Sequence, residues 1–253
     1  MLSFEPKRRY QEIGLILRNE LMQGSFRQGD RLPPERDIAE RLNVSRTVIR
    51  EAIIMLELEN LVEVKKGSGV YVLNIPSAAN TSENVISDDA GPFEVLQARQ
   101  FLESNIAEFA ATQVTPSDIA KMKQALTLEK EELLSGADEC QGDEKFHLCI
   151  AEATQNSVLV DMVKQTWERR KNNPMWEKLH ARIDGHAYRE AWIEDHSRIL
   201  SALQRKDPVL AKSSMWQHLE NVKQRLLELS DIDDPNFDGY LFNSNPVVLV
   251  DDK

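Results

Sequence analysis

The sequence predicts a mainly α-helical protein with two parts: two short helices with a β-hairpin near the N-terminus, and an all-α C-terminal region. Three observations predict this fold class. Apolar residues recur three and four positions apart over most of the 253 residues, the spacing of amphipathic helices. One glycine turn, KKGSG, separates two short β-branched runs. A single stretch, PSAANTSENVISDDAGP at 76–92, has neither helical nor strand periodicity.

That aperiodic stretch divides the chain. We predict a winged helix-turn-helix over residues 1–75, a linker over 76–92, an all-α helical bundle over 93–230 and a C-terminal tail over 231–253. Helices are expected at about 10–22, from Pro92 to about 113, from Thr115, and at about 143–153, 157–171, 186–205 and 208–230. The Thr115-Pro116-Ser117-Asp118 run is a helix start, with a capping hydroxyl and a proline in the first turn.

The charge is distributed unevenly between these parts. The chain has 31 basic and 42 acidic residues, a net charge of −11. Residues 1–75 hold 12 basic and 11 acidic residues, a net of +1, while the remainder holds 19 and 31, a net of −12. The N-terminal part can therefore present a basic face to a polyanion although the whole chain is acidic.

Targeting signals and cysteine patterns are both missing from the sequence. No apolar run has the length of a bilayer span, and the start MLSFEPKRRY lacks an apolar signal segment. The two cysteines, Cys140 and Cys149, stand nine apart without a CxxC pattern, which favours free thiols in a reducing compartment. We expect a cytoplasmic protein with no membrane partner.

The segment from Asp30 to Val72 carries the most specific signal in the chain. A helix begins near Glu35 after two prolines, and Ser45 is a natural N-cap for a second helix over 46–59. Its apolar stripe leaves three polar side chains on the outward N-terminal face, where recognition helices meet base edges: Arg46, Thr47 and Arg50. Arginine suits that role because its planar fork can bond guanine O6 and N7 together. Arg36 would lie near backbone phosphates.

The hairpin that follows would form a wing. Residues 61–64 and 70–72 are the strands, and two lysines before the glycine turn could lie along phosphates or enter the minor groove. The alternative is a small helical domain whose surface charges only solvate it. The co-occurrence of helix pair, hairpin, linker and arginines favours a DNA-binding unit over that alternative.

The run LPPERDIAERLNVSRTVIREAIIMLELENLVEVKKGSGVYV resembles the winged helix of GntR-type bacterial repressors of the FadR-like subgroup. The resemblance implies that Arg36, Arg46 and Arg50 contact DNA, that Ser45 and Thr47 assist, and that Lys66 and Gly67 form the wing tip. It also implies a homodimer on a short, nearly palindromic double-stranded operator.

Four residues of the C-terminal part have metal-ligand chemistry. Asp143 and His147 are four apart in a helical stretch and so lie one turn apart on one face, while His196 and His218 each fall on their own helix. One carboxylate and three imidazoles suit Zn²⁺, Mn²⁺, Ni²⁺ or Fe²⁺. From the residues alone, ordinary histidines with satisfied hydrogen bonds in an apolar core remain an open alternative.

The pattern Asp143-x-x-Phe146-His147-x-x-Ile150, followed by His196 and His218, is similar to the metal-binding C-terminal effector domain of the same subgroup. The resemblance implies that four residues hold a divalent metal: Asp143, His147, His196 and His218. Zinc is the preferred metal, and nickel, manganese and iron are the alternatives. Arg99, by its spacing alone, is a solvated helix charge or a partner of Glu103. By resemblance, it points into the effector cavity and pairs with a carboxylate.

Further segments extend the resemblance to nearly the whole chain. DAGPFEVLQARQFLESNIAEFAA, RRKNNPMWEKLH, MWQHLENVKQRLLE and DGYLF look like repressors of hexuronate regulons, the UxuR type more than the ExuR type. This implies a sugar-acid effector such as fructuronate or glucuronate. The residues that could line its pocket are Trp167, Arg170, Asn173, Trp176 and Tyr188, and for each of them ordinary core packing or surface exposure stays equally open.

Three functional hypotheses follow. The first is a ligand-responsive repressor released from its operator by a sugar acid, with the direction of the response taken from the family. The second is a metal-dependent enzyme domain fused to a DNA-binding module. The argument against it is that no clear general base stands beside the metal-type residues. The third is a constitutive DNA binder whose helical part serves only dimerisation, which would leave Arg99 and the four metal-type residues unexplained.

Overall fold

The computed structural model describes residues 8–65, 68–76, 90–136, 141–171, 173–180 and 187–228. These ranges hold the following elements in chain order: α1 (Arg9–Met22), α2 (Glu35–Leu42), α3 (Arg46–Leu58), β1 (Val62–Lys65), β2 (Gly69–Val72), α4 (Pro92–Gln113), α5 (Pro116–Ser135), α6 (Gln141–Glu152), α7 (Ser157–Lys171), α8 (Pro174–His180), α9 (Ala187–Gln204) and α10 (Pro208–Glu228). The prediction of a mainly α protein with a helix-turn-helix, a hairpin and a C-terminal bundle is confirmed. No helix in the described ranges combines the length and apolar character that crossing a bilayer requires.

The described residues fall into two compact units, 8–76 and 90–228. In the first, α1 packs on α3, and α3 buries Ile49, Ala52, Ile53 and Leu56 almost completely. Asn43 ends α2 in the left-handed conformation at φ 52°, which turns the chain between the two helices. Ser45 Oγ then accepts the Val48 N–H at 3.4 Å and so begins α3, as predicted.

The hairpin pairs β1 and β2 antiparallel, with Val62 opposite Val72 and Val64 opposite Val70. The segment before α2 adds to the other edge of β2, since the Leu32 N–H donates to the Val70 carbonyl at 2.8 Å. Gly69 has φ +106°, and a Cβ there would stand 2.6 Å from Arg31 Nε. The turn therefore requires glycine at this position for its backbone angle, whereas the end of the flexible Arg31 side chain could move aside.

The second unit is a helical bundle whose ends are fixed by local capping. Thr115 and Asp118 form a reciprocal capping box at the start of α5, in agreement with the predicted helix start. At the start of α6, the Glu132 carboxylate of α5 accepts the N–H groups of Gln141 at 3.1 Å and Gly142 at 3.0 Å. In the interior, α4 packs along α10, while α5 contacts both α6 and α9.

The predicted helix ranges agree with the structure at most positions. α7 has the predicted bounds, and α6, α9 and α10 differ from prediction by two residues or fewer within the described ranges. α8 was missed. Its signal was present in the sequence, because Asn173 is an N-cap type and Pro174 occupies the first helical position.

Gly142 allows α5 and α6 to approach closely, and we predict that Gly142→Ala destabilises the second unit by about 1–3 kcal/mol. A Cβ at this position would lie 2.4 Å from the Glu129 backbone nitrogen, so the helices must separate. Alanine in place of a helical glycine ordinarily stabilises by about 1 kcal/mol. Urea unfolding gives the sign of the change in the free energy of unfolding. A variant more stable than wild type would contradict the close approach of α5 and α6.

Candidate functional site

The four predicted metal-type residues come together inside the second unit. α6 supplies Asp143 and His147, α9 supplies His196 and α10 supplies His218, and all four are at most 4% exposed. His196 Nε2 lies 3.3 Å from His147 Nε2 and 3.2 Å from His218 Nε2. Asp143 Oδ1 is 3.4 Å from His147 Nε2. One ligand atom from each residue lies within 4.8 Å of all the others.

Each histidine turns its other ring nitrogen to a carboxylate. His147 Nδ1 contacts Glu103, and His196 Nδ1 lies 2.7 Å from Glu129 Oε2. His218 Nδ1 is 3.5 Å from Asp195 Oδ2, a looser contact. We assign the Nδ1–H tautomer to the first two histidines because a carboxylate can only accept a hydrogen bond.

This arrangement fits a divalent metal. With Nδ1 protonated, the Nε2 lone pairs point toward one another at 3.2–3.3 Å and cannot all be satisfied by each other. A cation between them removes that conflict, and carboxylate–histidine–metal relays are the usual surroundings of imidazole ligands. The described residues therefore form a buried cluster that could hold a metal ion.

The protonation tendencies of the histidines differ. Burial lowers the pKa of His218, with the nearby charge of His196 acting in the same direction, to about 3. Burial also lowers the pKa of His147 against the pull of Glu103. Burial disfavours charge on His196 too, but its hydrogen bond and attraction to Glu129 outweigh it and raise the pKa of that imidazole. Of the three imidazoles, His196 is therefore the one that accepts a second proton most readily.

Two arginines neutralise the carboxylates beside the cluster. Arg99 Nε donates to Glu103 Oε1 at 2.6 Å, and Arg170 Nη1 donates to Asp143 Oδ2 at 3.0 Å. Burial alone would raise the pKa of Glu103, but the charges of Arg99 and His147 lower it to about 2. Burial is likewise outweighed at Asp143, where Arg170 and His147 hold the pKa well below its usual range. Both carboxylates are ionised at neutral pH.

The same region contains hydrogen-bond donors with no acceptor. Arg99 is 2% exposed, yet among the described residues only its Nε makes a hydrogen bond. Trp167 is also 2% exposed, and its Nε1 has no partner within the described part of the chain. The two side chains stack with the guanidinium carbon 4.1 Å from the indole centroid, and that indole lies 5.5 Å from the His147 ring. Unmet donors therefore collect beside the metal-type cluster.

The other predicted effector contacts have different surroundings. The Arg170 guanidinium stacks on Trp167 at 4.6 Å and on Trp176 at 4.8 Å. Asn173 Oδ1 accepts the N–H groups of Met175 and Trp176 at the start of α8, and its Nδ2 donates to the Ala90 carbonyl at 2.6 Å. These bonds make Asn173 a capping residue. Tyr188 belongs to α9, and its side chain lies outside the described residues.

The predicted DNA contacts in the first unit are more buried than expected. Arg46, Thr47 and Arg50 are 9%, 5% and 1% exposed, so their predicted outward position is wrong. The Arg50 guanidinium is drawn inward by Glu35, with Nε 3.2 Å from Glu35 Oε1, while the Thr47 hydroxyl turns back to Ser45 Oγ at 2.9 Å. Arg36 is exposed, as expected. Lys66 and Gly67 lie outside the described residues.

Sequence reasoning did not foresee the carboxylates behind the histidines. Glu103 was considered only as a neighbour of Arg99 in the helix, a pair the structure contains, although it is buried and bonds His147 as well. Asp195 directly precedes His196 and carried a weak signal by that adjacency. Glu129 stands in the acidic run LEKEELL, where nothing in the sequence separates it from its exposed neighbours.

These pKa shifts predict that the metal-free second unit loses stability in acid. Glu103 ionises at lower pH in the folded state than its ordinary 4.5, so its contribution, up to about 3 kcal/mol, is present above pH 4.5 and lost toward pH 2. His218 acts in the same direction between pH 6.5 and 3, because the unfolded state takes up its proton first. His196 opposes them, since its raised pKa favours the folded state below 6.5.

The measurement is urea unfolding of chelator-treated protein at about pH 7, 5 and 3. We expect the free energy of unfolding to fall from pH 5 to pH 3, where Glu103 and His218 both lose their contributions and that of His196 is already complete. Constant or rising stability toward acid would show that the carboxylates are not held ionised by their buried partners.

A helix pair with a β-hairpin, joined in one chain to a helical unit with a buried polar cluster, is the arrangement of a DNA-binding transcriptional regulator with a second domain. Comparison with known families gives the same answer. Residues 9–72 match the model of the gntR family of bacterial regulatory proteins, and residues 94–221 match the FCD domain. The chain belongs to the GntR family, in its FCD-containing branch, which confirms the predicted resemblance.

Characterised relatives align over nearly the whole chain. The Uxu operon transcriptional regulator of Escherichia coli K12 is 56% identical, covering 97% of each chain. The Uxu operon regulator of Haemophilus influenzae is 54% identical over 96% of this chain and 91% of its own length. The Exu regulon transcriptional regulator of E. coli K12 is 49% identical over 98% and 96%. The predicted similarity to regulators of the UxuR and ExuR types is confirmed, in the predicted order.

Proposed function

We propose that this protein is a transcriptional repressor of hexuronate catabolism genes that is released from its operator by a sugar acid such as fructuronate or glucuronate. The relatives named for the Uxu operon and the Exu regulon support the choice of genes. The repressor would bind a palindromic operator as a homodimer. We assign DNA binding to residues 1–75 and ligand and metal binding to 93–230, joined by 76–92, with 231–253 as a tail.

Asp143, His147, His196 and His218 would hold one divalent metal ion, with zinc first and nickel, manganese or iron as alternatives. The support is the convergence of three imidazole Nε2 atoms and one carboxylate in a buried space. The bound metal would supply a Lewis-acidic position for an effector oxygen. Glu103 and Glu129 orient two of the imidazoles through Nδ1 and keep Nε2 free of a proton.

The observation that carries effector binding is the group of unmet donors beside this cluster. Buried N–H groups without acceptors are rare in folded proteins, because each costs about 1–3 kcal/mol. The Nε1 of Trp167 is such a buried donor, and the Nη groups of Arg99 beside it make no hydrogen bond within the described residues, so the site calls for a ligand with several acceptor oxygens. A sugar acid is such a ligand, and its carboxylate is the natural partner of Arg99. Arg170 and Tyr188 are proposed neighbours, and Asn173 is left out because it caps α8.

In the DNA-binding unit we propose that Arg36, Arg46 and Arg50 contact the operator, assisted by Ser45, Thr47 and the wing residues Lys66 and Gly67. Arg36 is the most accessible of these arginines. Arg50 would have to exchange Glu35 for DNA, because its fork is held by that carboxylate. The Glu35 pair therefore competes with the operator.

A sensor is preferred to a metal-dependent enzyme. The named relatives are transcriptional regulators. Among the described residues, the carboxylates around the cluster already serve a histidine or an arginine, so none is left as a general base for an attacking water. We expect no turnover of hexuronates by the metal-loaded protein.

The test is a thermal-shift titration of zinc-loaded protein with fructuronate, glucuronate and galacturonate, together with release from operator DNA. We expect one of the first two to raise the melting temperature and to release the DNA, and His196→Ala to abolish both responses. Ser197→Ala is the matched control, because within the described residues that hydroxyl bonds only the Ile193 carbonyl of its own helix, at 2.8 Å. No response to any hexuronate despite bound metal would overturn the effector assignment.

A further inference from the structure

We propose that the indole N–H of Trp167 selects the effector by donating a hydrogen bond to one of its non-carboxylate oxygens, a hydroxyl, ring or keto oxygen. The inference rests on the proposed function and narrows its ligand class. It requires an acid that carries an acceptor near its carboxylate, and it disfavours a simple alkyl carboxylate of the same size.

The first step is that this N–H has no structural role in the described chain. Trp167 is 2% exposed, and Nε1 has no acceptor in the part of the chain that the structure describes. Buried tryptophans usually find a partner for this group, so its orphan state has a free-energy cost. An effector oxygen at this position would accept this N–H and remove that free-energy cost, but only in the bound state. In this respect a ligand contact differs from a contact that stabilises the fold.

The second step is that the ring is held firmly beside the other ligand-seeking groups. The Arg99 and Arg170 guanidinium carbons lie 4.1 and 4.6 Å from the indole centroid, so two cations fix the ring by its π system. The His147 ring is 5.5 Å away. The Arg99 guanidinium carbon and the His147 ring centroid therefore both lie within 5.5 Å of the indole centroid, distances that a molecule the size of a hexuronate can span.

The third step concerns discrimination. Indole nitrogen donates and never accepts, so it favours ligand oxygens over amines. A site that donates to a substrate oxygen rejects the analogue that lacks the oxygen, because the buried donor is then unpaired. Arg99 and the cluster recognise the carboxylate that all the acids share, and Trp167 distinguishes among them.

The experiment removes the N–H while preserving the ring. Trp167→Phe is the simple variant, and benzothienylalanine incorporated at position 167 keeps the bicyclic shape without the donor, so loss of packing is separated from loss of the hydrogen bond. Trp216→Phe on α10 is the matched control, a half-buried tryptophan outside the proposed effector contacts. Affinities of the zinc-loaded proteins for fructuronate, glucuronate and their monodeoxy analogues are measured by calorimetry, with melting temperatures in both states.

We expect the benzothienyl variant to lose about tenfold in affinity for the natural acid, the effect of one hydrogen bond, while Trp216→Phe is unchanged. One deoxy analogue should bind wild type about tenfold more weakly and the variant no more weakly than the parent acid. Without ligand, the benzothienyl variant should melt no lower than wild type. A purely structural role would lower that melting temperature instead, and would overturn the inference.

The outcomes separate the two proposals. If wild type binds a hexuronate and the benzothienyl variant binds it equally well, the inference about Trp167 is wrong and the proposed function stands. If wild type binds no hexuronate, both are overturned.

Discussion

Glu103→Gln is expected to lower the free energy of unfolding of the second unit by about 3–5 kcal/mol and to weaken metal binding about 10- to 100-fold. The carboxylate is 2% exposed and accepts from Arg99 Nε while it orients His147. Its loss leaves a buried guanidinium without a counter-ion and an imidazole without its orienting acceptor. Urea unfolding and zinc competition with a chromophoric chelator measure the two effects.

The matched control is Glu108→Gln on the same helix. Glu108 pairs with Lys212 at 2.7 Å, but its side chain is 40% exposed, and such pairs contribute about 0–1 kcal/mol. The double variant Arg99→Met with Glu103→Gln should recover part of the lost stability, because it removes the uncompensated charge. Equal small losses from both glutamine variants would refute the buried role of Glu103.

Glu35→Gln is expected to act in opposite directions on stability and on DNA binding. The Arg50 side chain is 2% exposed and forks onto Glu35, so loss of the charge should destabilise the first unit by about 2–3 kcal/mol. The guanidinium, no longer held by the Glu35 carboxylate, should then bind DNA on the order of tenfold more tightly, the effect of one charge-assisted hydrogen bond. Fluorescence anisotropy with operator DNA at fixed salt, beside thermal unfolding, measures both.

Asp37→Asn separates release of Arg50 from simple loss of negative charge. It removes the same charge from the same helix, but Asp37 is about half exposed and lies 3.7 Å from Arg36 rather than Arg50. We expect little destabilisation and only a small gain in affinity. If both variants tighten binding equally, Arg50 is structural and the competition between Glu35 and DNA is absent.

Local sequence signals predicted most of the helices. Ser45 and the Thr115–Asp118 pair predicted helix starts, and the structure contains both caps. Such caps can be predicted from sequence because capping involves groups within three residues of one another. The four-residue spacing of Asp143 and His147 predicted that they share a helix face. Such signals are complete within one element, so no knowledge of tertiary packing was needed to interpret them.

Contacts between different helices and strands could not be predicted from such local signals. Glu35 and Glu129 look like surface residues in the sequence, and only packing brings one to Arg50 and the other to His196. The outward position predicted for Arg50 was wrong because helical periodicity assigns a face without knowing which charge the neighbouring helix brings to it.

The sequence by itself determined the two-part helical architecture, the family and the four metal-type residues, because periodicity, caps and family motifs are carried by residues in fixed register along the chain. Only the tertiary structure decided which carboxylate orients each histidine and that Asn173 is a helix cap. It also decided that Arg99 and Trp167 have N–H donors without an acceptor in the described residues. These are properties of side chains from different helices meeting in a buried space, where the free energy depends on whether each donor, acceptor and charge finds its partner.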